Sequence, residues 1–149
     1  MQAYGSEEGE ENRMIREIVH DPLLLAQKSE PAAEKDRRII TDLKDTLNAN
    51  RDRCAGMAAN MIGERKRIIA FFSGPFLIVM VNPLITGKTG AYSAEEGCLS
   101  LAGVRPAKRW QEITVRYLDE SFRPRTNTFR GFTAQVIQHE CDHCEGILI

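Results

Sequence analysis

Apolar positions change their rhythm along this chain, and each rhythm predicts a different element. From about Ala33 to Asn50 they recur at three- and four-residue spacing. Ile40, Leu43 and Leu47 alternate with charged side chains, the pattern of an amphipathic helix. Ser29, Glu30 and Pro31 ahead of it suit a helix start. Two unbroken apolar runs, Arg67 to Phe72 and Phe76 to Val81, flank Ser73-Gly74-Pro75 and read as two buried strands, the second expected to end at Asn82-Pro83. Glu112 to Leu118 alternates strictly, as a half-buried strand does, and Arg125 to Phe129 is expected to pair with it across Asp119-Glu120-Ser121. Thr133 to Cys144 predicts a second helix closed by Gly146, with Ile147 to Ile149 as a short terminal strand. Asp21-Pro22 predicts a turn, and the small-residue stretch Cys54 to Gly63 can approach another backbone closely. Hairpins with two separated helices point to an α+β fold, with antiparallel or mixed sheets around the second helix. Residues 1–13, acidic and poor in apolar side chains, are expected to form a disordered tail; residues 14–149 form one domain.

Charge and composition narrow the function. Twenty Lys and Arg against 21 Asp and Glu leave a net charge of −1, which removes the electrostatic argument for a nucleic-acid binder. The longest aliphatic run, Phe76 to Val81, is far too short to span a membrane, and the first residues do not resemble a secretory signal. A cytoplasmic setting is expected. The four cysteines, Cys54, Cys98, Cys141 and Cys144, then read as free or metal-bound thiols.

Two of the three histidines lie in His139-Glu140-Cys141-Asp142-His143, an HExxH motif. Residues on a helix advance by about 100°, so His139 and His143 stand about 40° apart on one face and both imidazoles can reach one metal. Glu140 projects beside them, able to take a proton from a metal-held water without ligating the ion. A catalytic site of this kind needs a third protein ligand. No third histidine follows the motif, and His20 lies in a segment with no ligand pattern, which leaves Cys98 or a carboxylate. Cys98 sits in Glu96-Gly97-Cys98-Leu99-Ser100, where Gly97 permits close backbone approach.

Three blocks together resemble the peptide deformylases: CAGMAANM at 54–61, EGCLS at 96–100 and QHECDH at 138–143, with Gly146-Ile147-Leu148 following in place. The resemblance spans roughly residues 14–149. It implies a metal-dependent hydrolase that removes the formyl group from formyl-methionine of nascent polypeptides, with the ribosome as the expected setting, and releases formate. It implies Cys98, His139 and His143 as ligands of one divalent ion, Fe(II) in the cell, with Zn, Ni or Co able to replace it. Glu140 becomes general base and then general acid, and the Leu99 backbone N–H donates to the developing oxyanion. Gly56 and Gly97 let the peptide run along the backbone as an added strand. Phe132, Gln135 and Val136 face the substrate methionine, and Met61 takes the place of the glutamine that donates to the formyl oxygen.

This sequence departs from the family pattern at Cys54, where glycine is usual, at Met61, and at Gln135, where an apolar residue is usual. Methionine cannot donate a hydrogen bond. A weakened enzyme is therefore expected, unless Asn60 or a water supplies the donor. The alternatives are a non-catalytic paralogue that keeps the metal and binds a peptide or partner, and a protease cutting internal bonds, against which the thiol ligand and small size argue. Cys141 is expected to face away from the histidines and to pack with Cys144 as a small hydrophobe. Asp142 is expected to hold a nearby arginine. Arg105, Arg109 and Trp110 read as a solvated face or as partners of Glu95 or Glu96, and Cys54 as simple packing.

Overall fold

The computed structural model describes residues 14–149, so the expected acidic tail lies outside the described residues. Helix α1 (Pro22–Leu25) is followed by a 3-10 turn (Glu34–Asp36) and α2 (Arg37–Ala49). Strand β1 (Gly56–Ala58) runs into a second 3-10 turn (Ala59–Ile62); β2 (Ile68–Ser73), β3 (Phe76–Cys98), β4 (Leu101–Leu118), β5 (Pro124–Arg130) and α3 (Gly131–Cys144) complete the chain. The strands form one antiparallel sheet in sequence order, β1-β2-β3-β4-β5. Among the described residues the isolated Glu30/Lys66 bridge is the parallel pairing, so the α+β architecture carries no mixed sheet.

The unbroken apolar runs have a direct cause. Side chains alternate across a strand, and here both faces are covered. Ile68 and Ala70 of β2 and Val79 and Val81 of β3 pack with Ile39, Ile40, Leu43 and Leu47 of α2. Ile69, Phe71 and Met80 pack on the other face with Ala134, Val136, Ile137 and Cys141 of α3. Further along the sheet, among the described residues, only the α3 face is covered. Ile113, Val115 and Tyr117 are buried there, while Arg116 is exposed.

Several expected boundaries moved. Asn82-Pro83 bends β3 instead of ending it: Asn82 adopts φ 52°, the pairing shifts register between Val81 and Leu84, and β3 continues to Cys98. Asparagine tolerates this left-handed conformation, and its side chain is tied on both sides to the Ala32 backbone (2.8 and 3.0 Å). Strand β4 starts at Leu101, eleven residues before the alternation that revealed it, because its first half is exposed on a two-stranded ribbon. Asp21-Pro22 starts a short helix, with the Asp21 side chain accepting from Leu23 N–H at 2.9 Å and Pro22 at the first helical position. Residues 147–149 form no strand. Instead Gly146, at φ 76°, ends α3: Gly146 N–H donates to His143 and Ile147 N–H to Asp142. A Cβ at Gly146 would stand 2.5 Å from the Ala26 carbonyl oxygen, so glycine is required there on two counts. Before α2, the Ala33 N–H is held by the Asp36 carboxylate (2.8 Å), whereas Ser29 N–H donates to Cys144.

Candidate metal centre and active site

Helix α3 is pinned to the sheet by Gln138, whose side chain accepts from Trp110 N–H and donates to Trp110 C=O, both at 2.9 Å. At its other end the Asn60 amide donates to the His143 carbonyl at 3.0 Å. Asn60 lies on the 3-10 turn after β1 and not on a strand, and with its amide directed at His143 and Leu25 it is engaged away from the cleft.

These restraints bring both HExxH imidazoles against the end of β3. The Nε2 atoms of His139 and His143 are 3.1 Å apart, and Cys98 Sγ is 3.4 Å from His143 Nε2. The three possible ligand atoms all lie within 4.8 Å of one another. A tetrahedral ion with metal–sulfur bonds of about 2.3 Å and metal–nitrogen bonds of about 2.05 Å would hold its ligands about 3.3–3.6 Å apart, close to the 3.1 and 3.4 Å separations at His143 Nε2, so this donor set suits a single ion. Ser100 N–H points to the Cys98 sulfur at 3.4 Å, where it supports a thiolate.

Behind the histidines lies a buried polar network. Glu96 accepts from His139 Nδ1 at 2.7 Å, from Arg109 Nε and Nη2 at 2.8 and 2.7 Å, and from Gln135 Nε2 at 2.9 Å. Arg109 also holds Asp142 at 2.7 Å. The hydrogen bond to Glu96 fixes the His139 ring with Nε2 turned toward Cys98 and His143, the orientation a metal ligand needs. Burial opposes ionisation of Glu96, but the hydrogen bonds from His139, Arg109 and Gln135 win and pull its carboxyl down to about 2. Burial likewise opposes charge on His139, yet its bonds to Cys98 and Glu96 raise it to about 10. Burial and the charge of His139 push His143 down to about 3.

Glu140 is buried beside this cluster, and its Oε1 has no hydrogen-bond partner among the described residues. Burial, only partly offset by His139, pushes its carboxyl up to about 7, where a group can both take and return a proton. A cleft of about 500 Å³ opens over it. Cys98, His139 and Glu140 meet there with Gly56, Met61, Gly97, Leu99, Phe132, Gln135 and Val136 on its walls; fully buried His143 lies behind.

Gly56 is needed for packing: a Cβ would stand 2.6 Å from Val136 Cγ1 and 3.3 Å from Glu140 Cγ. A Cβ at Gly97 would meet only ordinary contacts, so packing does not demand that glycine. The Gln135 amide is taken up by Glu96 and by the Tyr92 hydroxyl at 3.3 Å. Cys54 lines the cleft, donates to the Gly56 carbonyl at 2.8 Å, and is pushed up to about 12 chiefly by burial, so it is an unreactive thiol. Cys141 and Cys144 are free and packed in the core on the α3 face of the sheet.

Arg109 is one of the partners expected of Glu96, but it is buried and not on a solvated face. Sequence reading gave Glu96 no role of its own toward His139. The available signal was its spacing: residues two apart on a strand share a face, so Glu96 follows Cys98 to the histidines.

The family model for polypeptide deformylase matches residues 15–149. A peptide deformylase of Clostridium beijerinckii is 53% identical over 136 residues, covering 91% of this chain and 100% of the relative. The crystal structure of a peptide deformylase from Legionella pneumophila superposes with a TM-score of 0.80 at 34% identity, over 90% of this chain and 83% of that one. A Met-Ala-Ser-bound class I type b peptide deformylase from Acinetobacter baumannii gives 0.81 at 26% identity, over 91% and 97%. With a sequence match over nearly the whole described chain, the same fold, and a thiol and two imidazoles converging beside a buried glutamate, this chain belongs to the peptide deformylase family, metal-dependent hydrolases that remove the N-formyl group from nascent polypeptides.

Proposed function

We propose that Cys98, His139 and His143 hold one divalent ion, with Glu140 as the proton carrier of deformylation. The observation that carries this is the convergence of three ligand atoms within 4.8 Å beside a buried carboxylate oxygen that has no hydrogen-bond partner among the described residues. One thiolate with two imidazoles is a donor set for Fe(II), Zn, Ni or Co, and Fe(II) is the ion we assign in the cell. Such an ion supplies Lewis acidity toward the formyl carbonyl and lowers the pKa of water.

The chain supplies the rest. Glu140, as a carboxylate, takes the proton of the attacking water and, as the carboxylic acid, hands it to the leaving amine as the C–N bond breaks, which regenerates the carboxylate. The Leu99 N–H donates to the oxygen on which negative charge develops. Gly56 and Gly97 present bare backbone along the cleft, along which the peptide lies as an added strand. Phe132, Val136 and the methylenes of Gln135 receive the methionine side chain; the Gln135 amide, committed to Glu96 and Tyr92, does not compete for it. Met61, buried on the cleft wall, has no donor to offer the oxyanion, which lowers turnover without abolishing it. Residues 14–149 act as one catalytic domain on formylated nascent chains at the ribosome, in the cytoplasm.

Formate release from formyl-Met-Ala-Ser, measured on anaerobically purified protein of known metal content, tests the reading. The expected result is release that stops on chelation and returns with Fe(II). No release from fully metallated protein would overturn it.

A further inference from the structure

We infer that Val19 and His20 form a clamp across the active site, with His20 as a positioning residue for the turn that carries Leu99. The clamp rests on the assignment of the Leu99 N–H as oxyanion donor. Two consecutive residues of the N-terminal segment reach the two loops that border the reacting centre. Val19 N–H donates to the carbonyl of Met61 at 2.8 Å, and His20 Nδ1 lies 3.1 Å from the carbonyl of Ser100. A carbonyl only accepts, so Nδ1 carries the proton of this bond.

The turn needs outside support. Leu99 and Ser100 connect the paired residues Cys98 and Leu101, a two-residue hairpin loop. Such loops match the twist of their strands when the first or both central residues have positive φ. Neither Leu99 nor Ser100 does. The mismatch is absorbed by a break in register beyond the turn, between the Gly97/Val104 and Cys98/Leu101 pairs, with Gly103 at φ 76°. The ladder therefore does not by itself hold Leu99 and Ser100. Two bonds do so from either side: Ser100 N–H to Cys98 Sγ, and His20 to Ser100 C=O.

The clamp is itself anchored. Arg16 binds Asp42 of α2 through Nε and Nη2 at 3.0 and 2.6 Å, its own N–H donates to Thr46 Oγ1 at 2.9 Å, and Nη1 reaches the Ile62 carbonyl at 3.4 Å. The segment thus transmits the fixed position of α2 to the Cys98–Ser100 turn. His20 touches neither substrate nor ligand atom; it acts through the turn.

His20→Ala should lower kcat for formyl-Met-Ala-Ser about tenfold, the low end for a residue supporting a metal ligand, with KM changed less than twofold. It should also shift the thiolate-to-cobalt absorption of Co(II)-loaded protein and speed amide exchange at residues 99–101. His20→Asn, whose amide donates from nearly the same place, should restore all three. An unchanged kcat with unchanged exchange in His20→Ala overturns the clamp, as does a loss that His20→Asn fails to rescue. If metallated wild-type protein releases no formate, the catalytic reading fails instead, and the cobalt band with the exchange rates still decides whether His20 holds the turn.

Discussion

Replacing Arg109 with methionine separates the structural from the chemical contribution of the buried network. Arg109 is 4% exposed, and its guanidinium makes three hydrogen bonds to carboxylates, two to Glu96 and one to Asp142. Methionine fills much of the same space and removes the charge. Asp142 stands at the edge of the network and can hydrate. Glu96 cannot: its side chain is 6% exposed, and it would keep only Gln135 and His139. Removing one partner of a buried ion pair costs about 3–5 kcal/mol, and the two remaining donors argue for the lower end, about 3 kcal/mol. That is a large share of a domain's total of about 5–15 kcal/mol. With a urea dependence of about 2 kcal/mol per molar, the midpoint should fall by about 1.5 M.

Arg109→Met combined with Glu96→Gln removes the orphaned charge and should unfold closer to wild type than Arg109→Met alone. Because Glu96 orients His139, metal affinity should also fall about 10–100-fold in Arg109→Met, read by competition with a chelator. A urea midpoint within about 0.25 M of wild type, or unchanged metal retention, would refute this account of the network.

Glu140→Gln should retain its metal and lose about 10²–10⁴ in kcat, read as formate release. In metal-free protein the raised Glu140 carboxyl favours the fold most while protonated, and that contribution is lost as pH rises from its unfolded value toward about 7. The stability of Glu140→Gln relative to wild type should therefore grow over that window and level off above it, measured by thermal unfolding at several pH values. Met61→Gln adds a side-chain donor at the cleft wall and should raise kcat by up to about 10²-fold; an unchanged rate would show that the oxyanion has no use for a donor there. Gly56→Ala forces a methyl group against Val136 and Glu140, so it should cost about 1–3 kcal/mol of stability by urea unfolding and lower activity through the displaced carboxylate.

Local rules were enough for much of this protein. The 3.6-residue period of α2, the spacing of His139 and His143 on α3, the glycine stop at Gly146 and the alternation in β4 are all encoded within a few residues of each other. Their physics is that of a single element, so they are legible in the amino-acid order. The family resemblance extended this by pointing to Cys98 as a candidate third ligand, a choice that spacing alone left open between a thiol and a carboxylate.

What failed at the level of sequence was whatever depended on a distant partner. Asn82 continues a strand that its asparagine-proline pair should have ended, because Ala32, fifty residues away, accepts and donates to its side chain. The exposed half of the β3–β4 ribbon has no apolar signature because most of its side chains face solvent among the described residues. The bond from Glu96 to His139, the clamp of His20 on Ser100 and the pinning of Asn60 under His143 each join residues at least 43 positions apart in sequence. Hydrophobic burial is roughly additive and leaves a periodic trace in sequence, whereas a hydrogen bond needs two groups brought to one distance and angle, and only the folded chain fixes those.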